Sequence, residues 1–352
     1  MAKPGKKKKL LFVLEIVVLL LFIGGLYVYG QISSRLDKIE QPKLDEEKIM
    51  VNQEAPKMTG YKTYVLFGID SRGAGSQYSA QNSDTMIIVS VNNDTKEVRM
   101  ASIYRDTLLN IGDDTYTKAN AAYARGSAEQ AISMLNTNLD LDISYYATAD
   151  FSALAEVIDD LGGLDIPMSY AELVHMNNYC VETSELTGRE YTPIELPEPK
   201  PEDQEATVGT YHLNGVQATS YCRIRYTEGS DFKRTERQRT VLQKILEKAK
   251  SADLLTLNNL IDNVAGNMMT SLGNTELLSL AKDVSSYNLT DQTGFPFNLT
   301  AANLQAGDCV VAVDLADNVR QLHQWLFDDS SYEPSDSVQE ISWQIINDTG
   351  IQ

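Results

Sequence analysis

One segment of the chain reads Tyr221-Cys-Arg-Ile-Arg-Tyr-Thr-Glu-Gly-Ser-Asp-Phe-Lys-Arg-Thr-Glu-Arg-Gln-Arg239 and joins two local patterns. The part up to Tyr226 predicts a β-strand, in which Arg223 and Arg225 point to the same face. A helix is predicted to begin at Asp231. A strand that leads directly into a helix is typical of α/β domains, in which the two kinds of element form separate layers.

The same segment is strongly basic, although the chain is acidic. It holds six Lys and Arg between Arg223 and Arg239, whereas the 352 residues together carry a formal net charge of −19. A basic cluster in an acidic protein indicates one anionic site rather than a general attraction to polyanions. The predicted helix places three polar side chains on one side, about one turn apart: Arg234, Arg237 and Gln238.

Guanidinium pairs on the strand and on the helix suit phosphate, because Arg contacts phosphate oxygens in a bidentate manner. The simpler alternative is a solvated helix face that is neutralised by Glu228, Asp231 and Glu236. Residues 1–30 contain five Lys and one Glu, so 25 basic and 48 acidic residues remain beyond them, a net charge of −23. Such a surface argues against nucleic acid as the partner.

From residue 60 onward, strand patterns alternate with helix patterns. Strands are predicted at 63–67, 85–91, 97–103, 143–148 and 164–166, and helices at 127–139, 151–161, 254–264, 275–285 and 316–327. A polar segment with four prolines, from Tyr170 to Gly209, is predicted to be a long loop. The alternation predicts an α/β fold: a three-layer α-β-α sandwich with a central mixed sheet, preceded by a single N-terminal transmembrane helix.

The N-terminal part of the chain predicts membrane attachment. A basic tail (1–9) precedes an apolar run (10–30) of the length that crosses a bilayer, so the N-terminus is expected in the cytoplasm and the remainder outside. A cleaved signal peptide is the alternative, but the run ends without a small-x-small cleavage site. We expect an extracytoplasmic stalk at 31–59, the main domain at 60–250 and a helical extension packed on it at 251–352.

Cysteine and histidine give little chemical information. Cys180, Cys222 and Cys309 are far apart in sequence, so one disulfide in any of three pairings is open and one thiol is left over. The three histidines are equally scattered. Neither residue type has the spacing of a zinc site.

Two carboxylates lie at predicted strand ends. Asp70 follows the first strand, within Gly68-Ile-Asp-Ser-Arg72, and Asp84 begins the next strand. If these strands are antiparallel neighbours, the two carboxylates meet and their oxygens suit Mg²⁺. At the end of a third strand, Arg105 and Asp106 reach the same edge. Each Asp alone is also explained as an ordinary turn or cap residue.

These segments together resemble the LytR–CpsA–Psr (LCP) family of cell-wall ligases of Gram-positive bacteria. The resemblance covers roughly residues 64–249 and agrees with an outward-facing domain on a membrane anchor. It rests on motifs that occur in order: Gly68-Ile-Asp-Ser-Arg72, Ser83-Asp-Thr85, Ser102-Ile-Tyr-Arg-Asp-Thr107, Lys118-Ala-Asn-Ala-Ala-Tyr123, the Asp-Asp-Leu-Gly-Gly that ends at Gly163, Leu213-Asn-Gly-Val-Gln-Ala218 and Asp231-Phe-Lys-Arg-Thr-Glu-Arg-Gln238.

The resemblance implies a phosphotransferase of the cell membrane in a Gram-positive type of envelope. Such an enzyme takes a glycopolymer (teichoic acid, capsule or a related polysaccharide) from a polyprenyl-pyrophosphate carrier and attaches it to peptidoglycan through a phosphodiester bond. The implied partners are the carrier-linked glycopolymer and peptidoglycan, and the implied cofactor is Mg²⁺. No ATP is needed, because one phosphate ester linkage is exchanged for another.

The resemblance also implies roles for residues. Asp70 and Asp84 would hold Mg²⁺, and the catalytic residues would be Arg105, Asp84 and Asp106, with an Asp that assists deprotonation of the acceptor hydroxyl. The pyrophosphate-binding residues would be Arg105, Arg223, Arg225, Arg234, Arg237 and Gln238. The carrier lipid would need an apolar slot, for which the helices at 119–139 and 151–161 are candidates. The chain departs from the family at Tyr104 and Cys222, where Pro and Ala are more common.

Two other functions fit parts of the pattern. A hydrolase of the polyprenyl-pyrophosphate glycan would use the same cation and arginines with water as the acceptor. A non-catalytic protein that binds the lipid carrier as a regulator would need the arginines, but would leave the carboxylate pair unexplained.

Overall fold

The computed structural model describes residues 34–45, 47–69, 81–143 and 145–352. Its strands are β1 (Tyr61–Ile69), β2 (Ser83–Asn92), β3 (Glu97–Ile103), β4 (Leu108–Asn110), β5 (Tyr116–Lys118), β6 (Tyr145–Ala149), β7 (Leu164–Ser169), β8 (Thr207–Leu213), β9 (Met268–Thr270), β10 (Asn288–Phe295), β11 (Leu299–Leu304) and β12 (Gly307–Ala312). Its α-helices are α1 (Ala121–Leu139), α2 (Phe151–Asp160), α3 (Tyr170–Thr187), α4 (Gly215–Arg223), α5 (Ser230–Ala249), α6 (Leu254–Val264), α7 (Asn274–Asp283), α8 (Leu315–Phe327) and α9 (Asp336–Thr349).

Six strands form a central mixed sheet in the order β10-β3-β2-β1-β6-β9. Strand β1 lies inside this sheet, antiparallel to β2 and parallel to β6, while β3 is antiparallel to β2 and parallel to β10. The predicted α/β class and the mixed sheet are confirmed. Three two-stranded ladders, β4-β5, β7-β8 and β11-β12, lie outside it.

The central sheet buries apolar side chains on both faces, because successive residues of a strand point to opposite sides. On one face, Phe67 packs edge-on against Tyr123 of α1, with 5.1 Å between ring centroids, in a core that also includes α8 and α9. On the other face, Ile87 of β2 belongs to a second core with Leu242 of α5. Helices on both sides of the sheet give the three predicted layers.

The pairing of β1 with β2 positions the first predicted site segment. Gly68 pairs with Thr85 and, after a β-bulge, Ile69 pairs with Ser83, so the end of β1 lies beside the start of β2. The antiparallel pairing on which the carboxylate hypothesis depended is therefore present. A Cβ atom on Gly68 would lie only 2.8 Å from the Cβ of Thr85, so this close approach requires glycine. Asp70 lies outside the described residues.

The predicted strand at 221–226 is wrong. Helix α4 extends to Arg223, and an irregular link then leads to α5. A capping box begins α4: the backbone N–H of Gln217 donates to the Asn214 side chain at 3.0 Å, and the backbone N–H of Asn214 donates to the Gln217 side chain at 2.9 Å. The alternation of Arg223 with Arg225 resembles a strand but follows this helix signal, which outweighs it.

The predicted long loop at 170–209 is also wrong in its first half, which forms helix α3. Ser169 and Glu172 make a capping box at its start, and Gly188 ends it in the left-handed conformation. The helix buries Leu173, Met176 and Cys180, which are spaced by three and four residues as on one helix face. The sequence did not reveal this apolar stripe, because polar residues such as Asn177 separate its members.

The region predicted as a stalk packs against the domain wherever it is described. Leu36 and Ile39 are buried with Ala265. Further along, the Asn52 side chain donates to Asp140 Oδ1 at 2.6 Å, and Met58 packs against the main core. Leu36 lies in a short helical turn, and the mostly irregular segment that follows is held by both apolar and polar contacts.

The helical prediction for 251–352 is incomplete. This region supplies β9 and β10, which are the two edge strands of the central sheet, and the ladder of β11 with β12. Residue 250 is therefore not a structural boundary. Within the described part of the chain, no helix is long and apolar enough to cross a membrane. The predicted span at 10–30 lies outside that part.

The three cysteines are all buried and free, so none of the three possible disulfide pairings forms in this structure. Burial raises the pKa of Cys180 to about 11 and that of Cys222 to about 12. Both thiols are therefore protonated at neutral pH and behave as small apolar side chains.

Candidate active site

An apolar cavity of about 470 Å³ lies between the central sheet and the helices on the α5 side. Its apolar walls come from the sheet, from α2 and from α5: Leu66, Ile87, Ala147, Leu154, Val157, Val241, Leu242 and Ile245. Helix α2 was one of two candidates for an apolar slot. The other, α1, packs on the opposite face of the sheet and contributes no described residue to these walls, so that candidate is wrong.

Three arginines that line this cavity converge on Asp84, near the start of β2. Arg105 Nη1 donates to Asp84 Oδ1 at 2.8 Å, and Arg225 Nη2 lies 3.5 Å from Oδ2. Arg234 Nη2 donates to the backbone carbonyl of Asp84 at 2.8 Å. The end of β3, the α4–α5 link and helix α5 each bring one guanidinium group to the same point.

Asp231 lies at the centre of this cluster, and the sequence did not assign it to the site. Its Oδ1 atom is 3.3 Å from Arg234 Nη1, 3.6 Å from Arg225 Nε and 3.7 Å from Arg105 Nε. The spacing of three residues between Asp231 and Arg234 in the first turn of α5 was the available signal. Asp106 and Lys118 extend this cluster, so four cationic side chains face three carboxylates and leave an excess of positive charge for an anion.

Burial and ion pairing act in opposite directions on these arginines. Desolvation lowers the pKa of Arg234 to about 10, and the positive charges of Arg225 and Arg105 add to this effect. Burial also disfavours the charge of Arg105, but the carboxylates of Asp84 and Asp106 outweigh it and raise the pKa. Arg105 and Arg234 therefore both stay charged at neutral pH.

Three polar atoms of cavity-lining residues are buried without a hydrogen-bond partner: Arg105 Nε, Arg234 Nε and Gln238 Oε1. Buried polar groups are normally paired, so an unpaired one is a candidate ligand contact. The Arg234 donor suits a phosphate oxygen, and the Gln238 acceptor suits a hydroxyl group. Of the three residues predicted on one side of α5, Arg234 and Gln238 face the cavity together.

Asp106 lies beside Arg105 but does not line the described cavity. Its Oδ2 atom is 3.3 Å from Arg105 Nε, and its Oδ1 atom is 3.0 Å from Lys118 Nζ on β5. The carboxylate is therefore shared between two cations. This geometry favours a role in positioning Arg105, and the predicted role of Asp106 as a base stays a prediction.

Arg223 lines the cavity separately from the cluster at Asp84. It donates from Nη1 to Thr183 Oγ1 at 2.8 Å and from Nη2 to Glu182 Oε2 at 2.7 Å. Its guanidinium carbon lies 4.9 Å from the ring centroid of Phe151 and 5.3 Å from that of Tyr179. Arg223 is thus held between aromatic rings of α2 and α3.

Arg237 does not line the cavity, in contrast to the prediction. It is only 1% exposed, and its Nε donates to Glu172 Oε1 at 2.8 Å. Its Nη1 donates to the carbonyl of Ile224 at 3.1 Å and its Nη2 to Thr227 Oγ1 at 2.5 Å. Arg237 therefore holds the α4–α5 link that carries Arg225, and it affects the site only through that link.

The described residues contain no group of three or more His, Cys, Asp or Glu side chains arranged to hold a metal ion. Of the two predicted Mg²⁺ ligands, Asp84 lines the cavity with its side chain 30% exposed. Mg²⁺ is commonly bound by one or two carboxylates together with substrate phosphates. The donor chemistry of Asp84 fits such a cation beside an anionic ligand.

Comparison with known proteins gives consistent matches. The family model described as LytR_cpsA_psr matches residues 26–315. Two relatives share the name polyisoprenyl-teichoic acid–peptidoglycan teichoic acid transferase TagU. The one from Bacillus cereus is 27% identical over 286 residues, which is 79% of this chain and 84% of the relative. The one from Enterococcus faecalis is 28% identical over 289 residues, which is 80% of this chain and 85% of the relative.

A solved structure has the same fold. It is described as the LytR-CPS2A-psr family protein YwtF (TagT) with bound octaprenyl pyrophosphate lipid. The two chains are 18% identical, with a TM-score of 0.54, and the match covers 88% of this chain and all of the other.

Proposed function

We propose that this chain, which belongs to the LytR–CpsA–Psr family, is a phosphotransferase. It would move a glycopolymer from a polyprenyl-pyrophosphate carrier to peptidoglycan. The glycopolymer would be a teichoic acid, a capsule or a related polysaccharide. The names of the TagU relatives and the lipid bound to the TagT structure support this proposal.

The observation that carries the proposal is the union of an apolar cavity with an arginine cluster. A polyprenyl pyrophosphate is a long apolar chain that ends in a compact anion, so it needs both surfaces side by side. The cavity supplies apolar walls from the sheet, α2 and α5, and Arg105, Arg225 and Arg234 supply the charge. Neither feature alone would select this ligand.

The proposed reaction exchanges one phosphate ester linkage for another. A hydroxyl oxygen of peptidoglycan attacks the phosphorus atom that bears the glycan, and the bond from that phosphorus to the bridging oxygen breaks. Polyprenyl monophosphate leaves, and the hydroxyl proton passes to a carboxylate. Positioning and charge neutralisation dominate such transfers, so the arginines would hold the phosphate oxygens and stabilise the charge that develops on the leaving group.

We also propose Mg²⁺ as the cofactor, held by Asp84 together with Asp70. The cation would supply further positive charge to the pyrophosphate when bound. Because Arg105 and Arg225 now face the Asp84 carboxylate, they would turn from it to the phosphate oxygens. The apolar run at 10–30 would anchor the enzyme in the membrane that holds its lipid substrate.

The test uses the full chain in mild detergent, with Mg²⁺, a lipid-pyrophosphate-linked saccharide and uncrosslinked peptidoglycan, followed by mass spectrometry. We expect a saccharide–phosphate–peptidoglycan adduct and free polyprenyl monophosphate. Asp84→Asn, Arg105→Ala and removal of Mg²⁺ by a chelator should each abolish the adduct. Lys233→Ala is the matched control, because Lys233 is an exposed cation on α5 that pairs with Glu236.

Two results would contradict the proposal. Free phosphosaccharide without adduct, in the presence of a competent acceptor, would identify a hydrolase. Intact lipid that copurifies with the protein and is never turned over would identify a non-catalytic binder. Thermal unfolding of each variant would show whether a loss of product reflects chemistry or a loss of fold.

A further inference from the structure

Tyr226 is an aromatic residue that remains 75% exposed beside the arginine cluster. It follows directly after Arg225, whose Nε lies 3.6 Å from Asp231 and whose Nη2 lies 3.5 Å from Asp84. Its backbone is not loosely placed, because Arg237 binds the carbonyl of Ile224 on one side and the hydroxyl of Thr227 on the other. The ring is therefore presented to solvent by a fixed segment.

Helix α3 extends this aromatic surface from the cavity to the outside. Tyr179 lines the cavity, and His175 lies four residues earlier on the same face of the helix. The imidazole of His175 packs beside the ring of Tyr226, with 6.1 Å between centroids and an interplanar angle of 38°. Desolvation raises the pKa of Tyr179, and the neighbouring Tyr226 adds to that rise, as expected for adjacent rings.

The covalent order of the proposed donor fixes what lies at this surface. The apolar lipid comes first, the pyrophosphate second and the glycan third. If the lipid fills the cavity and the pyrophosphate meets the arginines, the first sugar must lie immediately beyond them. Tyr226 directly follows one of these arginines and faces solvent, which is the position that the first sugar would occupy.

We propose that Tyr226 and His175 form the binding surface for the first sugar of the carrier-linked glycopolymer. The inference rests on the proposed function. The electron-rich face of the tyrosine ring would pack against the C–H groups of one sugar face. The imidazole beside it would offer a hydrogen-bonding group to a sugar hydroxyl. This surface would make the enzyme prefer a glycan-bearing carrier over the bare lipid.

The test measures binding of two probes to the full chain in mild detergent: a short-chain prenyl pyrophosphate, and the same carrier with a single hexosamine. We expect Tyr226→Ala to raise the Kd for the sugar-bearing probe by roughly 5- to 10-fold. The Kd for the bare pyrophosphate should stay the same. Tyr226→Phe should bind both probes as the wild type does, because it keeps the ring. Trp343→Ala, at a remote exposed aromatic residue on α9, is the control.

Other outcomes would overturn the inference. An equal loss for both probes would mean that Tyr226 acts through the pyrophosphate site and not on a sugar. Unchanged binding of both probes, combined with a higher KM for peptidoglycan in the transfer assay, would assign the ring to the acceptor. If the wild type bound neither probe, the proposed function itself would fail, and the inference with it. If the wild type binds the bare pyrophosphate probe, the pyrophosphate site exists, so a failure of the sugar inference alone can be told from a failure of the proposed function.

Discussion

The carboxylate of Glu172 serves two neighbours at once. Its Oε2 accepts a hydrogen bond from the backbone N–H of Ser169 at 2.9 Å, which completes the capping box of α3. Its Oε1 accepts from Arg237 Nε at 2.8 Å, and Arg237 in turn holds the link that carries Arg225. A single buried side chain thus joins the start of α3 to the arginine cluster.

We expect Glu172→Gln to destabilise the protein by about 3 kcal/mol, because it leaves the buried charge of Arg237 without its partner. Glutamine can still accept the capping hydrogen bond, so the substitution isolates the ion pair. Urea unfolding followed by circular dichroism measures the change. The matched control is Glu236→Gln, which removes an exposed pair with Lys233 and should cost less than about 1 kcal/mol. Equal effects of the two substitutions would refute this account.

His323 should make the protein less stable in mild acid. Its Nε2 lies 2.8 Å from the carbonyl of Leu139, its Nδ1 is buried without a partner, and burial lowers its pKa. Because its folded pKa lies below the unfolded value of about 6.5, the unfolded chain binds the proton first. The free energy of unfolding should therefore fall as pH drops below about 6.5, by up to about 1.4 kcal/mol per pH unit.

The measurement is a series of urea denaturation curves between pH 7.5 and 5, with a range set by the reference histidine pKa of about 6.5. His323→Gln removes the titrating group and keeps a donor for the Leu139 carbonyl, so its curve should be flatter than that of the wild type. An unchanged slope in His323→Gln would show that other groups control acid sensitivity.

At the residue scale, the sequence predicted which charged side chains lie close together better than it predicted the contacts that hold them in place. Strand ends predicted that Arg105 lies at the same sheet edge as Asp84, whereas Arg225 and Arg234 were assigned to that site by the family resemblance. Arg237 was misplaced because the packing of α5 decides which of its polar side chains face the cavity, and the sequence does not show that packing. Asp231 was missed because one aspartate at a helix start has an ordinary explanation.

Among the elements, α2 and α4 approach unusually closely. A Cβ atom on Gly215 would lie 2.1 Å from the backbone carbonyl oxygen of Ala155, so the crossing requires glycine. Helix α2 carries Phe151 and α4 carries Arg223, which contact each other in the cavity wall. The spacing of these helices therefore sets the position of one guanidinium group in the site.

Gly215→Ala should destabilise the protein by about 1 to 3 kcal/mol, because a backbone atom cannot move aside as a flexible side chain can. Urea unfolding provides the measurement. Gly266→Ala is the control, since a Cβ atom there meets nothing within 4 Å. A Gly215→Ala protein as stable as the wild type would mean that α2 and α4 separate without cost.

Element prediction succeeded where periodicity was simple and failed where caps decided the outcome. The strands β1 to β3 were predicted from their apolar runs. Helices α3 and α4 were not, although Ser169 with Glu172 and Asn214 with Gln217 are both capping boxes. For α1, a helix start was predicted at Ser127, where the structure has a kink with a positive φ of 57° inside a helix that begins at Ala121.

On the scale of the whole molecule, the domain cannot end at residue 250. Truncation there would remove β9 and β10 and leave β6 and β3 as open edges of the sheet. Exposed edge strands pair with other chains, so we expect the truncated protein to aggregate. In mild detergent, which keeps the proposed anchor at 10–30 in solution, removal of residues 350–352 alone should leave a monodisperse, cooperatively unfolding protein. Size-exclusion chromatography of the two forms tests this, and a monomeric, folded 1–250 fragment would contradict it.

The pairing of β3 with β10 also determines when, during synthesis of the chain, the edge of β3 can be covered. The hydroxyl of Thr290 in β10 donates to the carbonyl of Val98 in β3 at 3.3 Å, although the two residues are 192 positions apart in the sequence. A ribosome therefore finishes β3 long before the strand that covers its edge has been made. Contacts between such distant residues slow folding, because closing the long intervening loop costs entropy before the contact can form. We therefore expect that edge of β3 to stay unpaired until nearly the whole chain has been synthesised.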